Sequence, residues 1–173
     1  TLYGFPLWEA EVHDLLHANF RELASIFRGY CKSLGEGSSD ESAKTMDVEE
    51  FHDFVIDVGL ETKLTTNKAA EPAVYTFEQM KEQFTKADKS GKGLAGPAAN
   101  SELVLYEFLN VITRVSFYRL NPEYGELTME HQDTILPVPQ ALEQTLKESV
   151  LPKAHRDDAA EFRAKTMQMP EVQ

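Results

Sequence analysis

Sliding the chain against itself by 57 residues brings two stretches of apolar pattern into register without a gap. Phe20, Leu23 and Phe27 fall on Phe77, Met80 and Phe84. Met46, Val48, Glu50, Phe51, Val55 and Val58 fall on Leu103, Leu105, Glu107, Phe108, Ile112 and Val115. Any two amphipathic helices share some of this register, because each buries a stripe at a period of about 3.6 residues. A match across both helices of each unit, with a Glu-Phe pair at the same place, points to a duplication.

The helices are legible from their periodicity and their ends. Apolar residues from Trp8 through Val12, Leu16, Leu23, Phe27, Tyr30 and Leu34 predict one long first helix, ending at the polar, glycine-rich run 35–39. Asp47 with Glu50 forms a capping box for a second helix, whose Gly59-Leu60 end reads as a C-terminal cap. Thr76 with Gln79 repeats the capping pattern for a third helix. A fourth carries Leu105, Phe108, Leu109, Ile112 and Val115 and stops at Asn121-Pro122. Pro139 suits a first helical turn, and Leu142, Leu146 and Val150 make an i, i+4 stripe ending at Pro152. A last helix is expected over 154–167. No segment combines strand-like alternation with hairpin turns, so the class is all-α.

These elements divide the chain into 1–60, a first helix–loop–helix unit with a long entering helix, and 61–75, a connector. A second unit covers 76–120, and a C-terminal loop and helices over 121–173 are expected to pack on the pair.

Composition narrows the function. The 173 residues carry 29 acidic side chains against 17 Lys and Arg, a formal charge of −12. Repulsion from phosphate disfavours nucleic-acid binding and docking on an anionic membrane. No apolar run reaches the roughly 20 residues that span a bilayer. The single cysteine, Cys31, has no internal disulfide partner, which fits a reducing, cytoplasmic setting. Residues 1–6 show no basic region before an apolar stretch, so no signal peptide is expected. The chain starts at Thr1 without an initiator Met and reads as an excised domain or a processed product.

A helix–loop–helix with an apolar residue four before a Glu, followed by Phe opening the exit helix, resembles the EF-hand of the calmodulin-like family. Residues 84–93 are similar to the end of an entering helix and the first half of a calcium loop. Residues 103–108 and 46–51 are similar to the ends of two such loops. The resemblance covers about 15–60 and 72–117. It implies metal ligation by Asp88, Ser90 and Glu107 in the second loop.

The departures are physical. A calcium loop has about 12 residues and supplies 6–8 oxygens, with Gly at its sixth position. The aligned stretches 31–50 and 88–107 have 20 residues each. In the first, Cys31 replaces the opening carboxylate and Glu36 the glycine. In the second, Lys92 stands where an oxygen belongs, and the stretch carries a net charge of only −1. Residues 36–53 carry −6, which suits either an irregular divalent-cation site or a solvated acidic run. The pair therefore reads as degenerate, with calcium at low affinity as the one cofactor in question.

Other motifs carry less. Gly91, Gly93 and Gly96 spell G-x-G-x-x-G, but a helical pattern precedes them where a dinucleotide site needs a strand. His13 and His17 share a helix face at i, i+4 spacing without a nearby third ligand. Cys31 lies among apolar positions, which favours packing over nucleophilic use. Asp157-Asp158 marks a solvated face. No catalytic constellation stands out, and the chain is not expected to be an enzyme.

Binding through shape remains. An EF-hand-like pair offers a groove for an amphipathic helix, and Phe51, Phe54, Met80, Phe84 and Phe108 either line it or form the core. The stripe of Leu142, Leu146 and Val150 is expected to fill the groove from within the chain. The exit helix 106–115 is also similar to degenerate EF-like modules of ciliary and flagellar proteins, which implies an axonemal or cytoskeletal scaffold. The expected function is non-enzymatic protein–protein interaction, and the alternative is a weak calcium-binding or calcium-sensor protein.

Overall fold

A computed structural model describes residues 9–31, 45–62, 75–90, 102–122, 124 and 135–157. Among them every regular element is helical: α1 Ala10–Ala18, α2 Phe20–Tyr30, α3 Val48–Val58, α4 Phe77–Ser90, α5 Leu105–Leu120 and α6 Val138–Thr145. A π-helical turn, Leu146–Val150, joins α6 to the short α7, Leu151–Lys153. None of these helices is long and apolar enough to cross a membrane.

The first helix is not continuous, contrary to expectation. Asn19 leaves helical geometry at φ −104°, ψ 8°, and its side-chain amide donates to the Leu15 carbonyl at 2.8 Å. That side-chain bond competes with the backbone ladder for the same carbonyl, as short amides do, and bends the chain between α1 and α2. α2 stops at Tyr30, before the glycine-rich run.

The helix ends of α3 follow the sequence closely. Asp47 accepts from the Glu50 N–H at 2.8 Å while Glu50 accepts from the Asp47 N–H at 2.9 Å. At the other end Gly59 takes the left-handed conformation, φ 66°, ψ 46°, and the Leu60 N–H reaches the Val55 carbonyl at 3.1 Å. Only glycine adopts that φ without strain, and Leu60 then turns back into the core. α5 repeats half of the α3 start. The Val104 N–H donates to Glu107 at 2.9 Å, whereas valine has no side-chain oxygen to return the bond.

Met46 and Leu103 form an isolated antiparallel bridge, each N–H donating to the other's carbonyl at 2.8 Å. These two residues are equivalent under the 57-residue shift. Both side chains are fully buried.

One core runs through all the helices. Phe108 meets Phe27 and Phe54, each at a ring-centroid distance of 5.3 Å, and Phe51 contacts Phe54, Phe77 and Phe84. α6 packs on α5 and α1, and α7 touches α3. Leu142, Leu146 and Val150 are buried in the same cluster as the phenylalanines, each contributing roughly 1.5–3 kcal/mol of burial. The π turn has a cause. The Leu151 N–H reaches back five residues to Leu146, one residue before Pro152. Proline lacks an N–H and would crowd the carbonyl of Glu148 in a regular helix, so the wider turn relieves both.

The helix expected over 154–167 does not begin at 154. Residues 154–157 belong to no helix, and Ala154 is extended at φ −67°, ψ 142°. Residues 158–167 lie outside the described residues.

Candidate functional site

Asp88 and Glu107, two of the expected metal ligands, are both buried. Glu107 uses one oxygen to cap α5 at Val104, and Tyr106 donates its hydroxyl to the other at 3.3 Å. Glu50, its counterpart in the first unit, caps α3 in the same way. The Ser90 side chain and residues 91–101, with the G-x-G-x-x-G motif, lie outside the described residues, as do 32–44 with Glu36, Asp40 and Glu41 of the acidic run. Among the described residues no group of three or more His, Cys, Asp or Glu is placed to hold a metal. His13 and His17 stack with centroids 6.0 Å apart, both at the surface.

Phe51, Phe54, Met80, Phe84 and Phe108 are all buried in the core. They form the core and do not line an open groove. Cys31 is buried, and burial followed by the charges of Glu50 and Asp47 pushes its thiol up to about 12. The sulfur stays protonated near neutrality, which suits packing and leaves little thiolate for chemistry.

The sequence pattern did not reveal the concave site that the fold builds beside the C-terminal strap, residues 154–157. The strap lies along one face of α2. The Asp157 N–H donates to the carbonyl and hydroxyl of Ser25 at 3.1 and 3.2 Å. Arg156 binds Glu22 at 2.6 Å, and Arg28 lies 3.4 Å from Asp157. Positions 22, 25, 28 and 29 share a helix face at i, i+3 and i+4 spacing.

Gly29 makes the close approach possible. A Cβ there would lie 2.9 Å from the carbonyl carbon of Arg156 and 3.1 Å from the His155 oxygen. A glycine inside an amphipathic helix costs about 1 kcal/mol against alanine, and that unexplained glycine was the available signal.

Beside the strap a cleft of about 290 Å³ is lined by Gly29, Tyr30, Asp53, Ile56, Asp57 and His155. Tyr30 donates to Asp57 at 2.9 Å and accepts the His155 N–H at 3.1 Å, and the His155 ring nitrogen lies 3.3 Å from the same Asp57 oxygen. Burial pushes the Tyr30 hydroxyl up to about 12; the His155 N–H acts the other way, and Asp57 and Asp53 add to the rise. Tyr30 is therefore a fixed neutral donor. Ile56 stands at the cleft with 59% of its surface exposed.

Comparison of the chain with protein-family models, with curated proteins and with solved structures finds no match.

Proposed function

We propose that this chain is a non-enzymatic protein–protein interaction module built on a degenerate EF-hand-like pair. The EF-hand reading rests on the residue four before each glutamate, Met46 and Leu103, through which the two units are joined. The interaction reading is carried by one observation. Ile56, an apolar side chain 59% exposed, lies in a cleft with the carboxylates of Asp53 and Asp57, while the core between the helices is filled by the chain's own C-terminal stripe. Such a site suits an apolar side chain flanked by Lys or Arg, as an amphipathic basic helix presents. The net charge of −12 favours the same class of partner. An axonemal or cytoskeletal setting follows from the likeness of the exit helix to ciliary modules.

A photo-crosslinking residue at position 56 tests this in source cells, with the exposed position 147 as control. A discrete adduct from 56, lost when Asp53 and Asp57 are changed to Lys, supports the reading. Equal labelling from both positions contradicts it.

The second reading is a weak calcium-responsive module, favoured by two buried carboxylates, Asp88 and Glu107, at the two ends of the second loop. A calcium isotherm lost in Glu107→Gln, with a change in helicity on chelation, would put that reading first.

A further inference from the structure

The strap puts a titratable ring into the wall of the Ile56 cleft. The His155 Nε2 lies 3.3 Å from Asp57 Oδ2, the same oxygen that accepts from the Tyr30 hydroxyl at 2.9 Å. The backbone sets this approach. The His155 N–H donates to the Tyr30 hydroxyl at 3.1 Å, and Gly29 lets the 155–156 peptide lie against α2. The ring is 73% exposed and so stays in contact with solvent protons.

The groups around the ring are unequal in sign. Asp57 and Asp53 face it from α3, and the neutral Tyr30 stands beside it from α2 with ring centroids 5.9 Å apart. The nearby cations are directed elsewhere. Arg28 of α2 faces Asp157 at 3.4 Å, and Arg156 binds Glu22 at 2.6 Å. The Lys153 ammonium of α7 reaches the Val58 carbonyl at 3.5 Å.

Histidine is the side chain whose charge ordinarily changes between pH 5 and 8, where carboxylate, ammonium and guanidinium charges hold. A neutral imidazole offers Asp57 at most one N–H, whereas an imidazolium brings a full positive charge to the carboxylate. A Lys or Arg side chain entering the cleft would pair with that same carboxylate. The imidazolium therefore competes with such a cation and also repels it.

We propose that the strap regulates the cleft: protonated His155 holds Asp57 and lowers affinity for a basic partner, and neutral His155 leaves the carboxylate to that partner. The inference rests on the reading of the Ile56 cleft as an interaction site. Solvent screens the pair, since the Asp57 side chain is also 35% exposed. The expected effect is accordingly modest, about two- to fivefold in affinity between pH 7.5 and 5.5.

Isothermal titration calorimetry of the full chain with a synthetic amphipathic helix of leucine and arginine, at fixed ionic strength, tests it. Arginine keeps its charge throughout, so the probe does not titrate. Ile56→Asn should weaken binding by about tenfold or more, which places the probe in the cleft. The native chain should bind about two- to fivefold more weakly at pH 5.5 than at 7.5. In His155→Gln, which keeps a hydrogen-bonding side chain without a titrating charge, that ratio should fall towards one. His155→Lys, with its charge fixed, should bind weakly at both pH values. Binding that depends on Ile56 but shows the same pH ratio in the native and His155→Gln chains overturns the inference and leaves the cleft reading standing. No binding, or binding that Ile56→Asn leaves unchanged, contradicts the cleft reading and this inference with it.

Discussion

Met46 and Leu103 donate to each other's carbonyls at equal distances of 2.8 Å, although 57 residues separate them in the chain. The contact joins the segments that lead into α3 and α5, and both side chains are completely buried. Truncating either residue to alanine is expected to cost about 2–5 kcal/mol of stability. Because the two share one contact, the double variant should cost less than the sum by about 0.5 kcal/mol or more. Denaturant unfolding of the four chains in a double-mutant cycle measures this, and strict additivity would count against a shared contact.

Gly29→Ala is expected to act in opposite directions with and without the strap. In the full chain the new Cβ meets the Arg156 backbone at 2.9 Å, and the overpacking should destabilise by about 1–3 kcal/mol. In a chain ending at Lys153 the same change should stabilise α2 by up to about 1 kcal/mol through helix propensity. Thermal melts of both pairs check the reversal of sign.

Truncation after Pro137 removes Leu142, Leu146 and Val150 from the core and uncovers the apolar faces of α5 and α1. A lower melting temperature and increased hydrophobic-dye binding are expected. A truncated chain with unchanged melting and no dye binding would show that the segment does not hold the core together.

The Tyr30 hydroxyl titrates at about 12 in the folded chain, against about 10 in an unfolded one. A raised folded value means that the neutral form is favoured by folding. Its stabilising contribution is therefore complete below about pH 10 and is lost as pH rises from 10 towards 12. Cys31, also raised to about 12, adds to the loss in the same direction from about pH 9 upward. Urea midpoints measured from pH 8 to 11 should fall over this range, and less steeply in Tyr30→Phe. Near neutrality the buried Cys31 thiol should also resist alkylation by iodoacetamide until the chain unfolds.

Local signals were readable where a short stretch determines its own geometry. Asp47 with Glu50, Gly59 with Leu60, and Asn121 before Pro122 each mark a helix end and each behave as their types require. Asn121 does more than stop α5. It bonds the Phe117 carbonyl at 2.9 Å and clamps both backbone groups of Leu136, at 2.7 and 3.0 Å, a tertiary role that no local pattern encodes. The break at Asn19 was obscured because the apolar period continues across it. The strap reads as helix in the sequence because residues 154–157 carry no breaker. Its course is tied to α2 by bonds to Ser25 and Tyr30, more than a hundred residues upstream. The cleft at Ile56 assembles from three separate segments, so no spacing rule could have indicated it.

The pairing of Met46 with Leu103, on which the reading of two joined units rests, is tested most directly by through-hydrogen-bond NMR couplings between the two residues. Two reciprocal couplings, from each amide nitrogen to the other residue's carbonyl carbon, are expected, with both amides exchanging slowly and at similar rates. Absence of both couplings together with rapid exchange at the two amides would contradict the pairing.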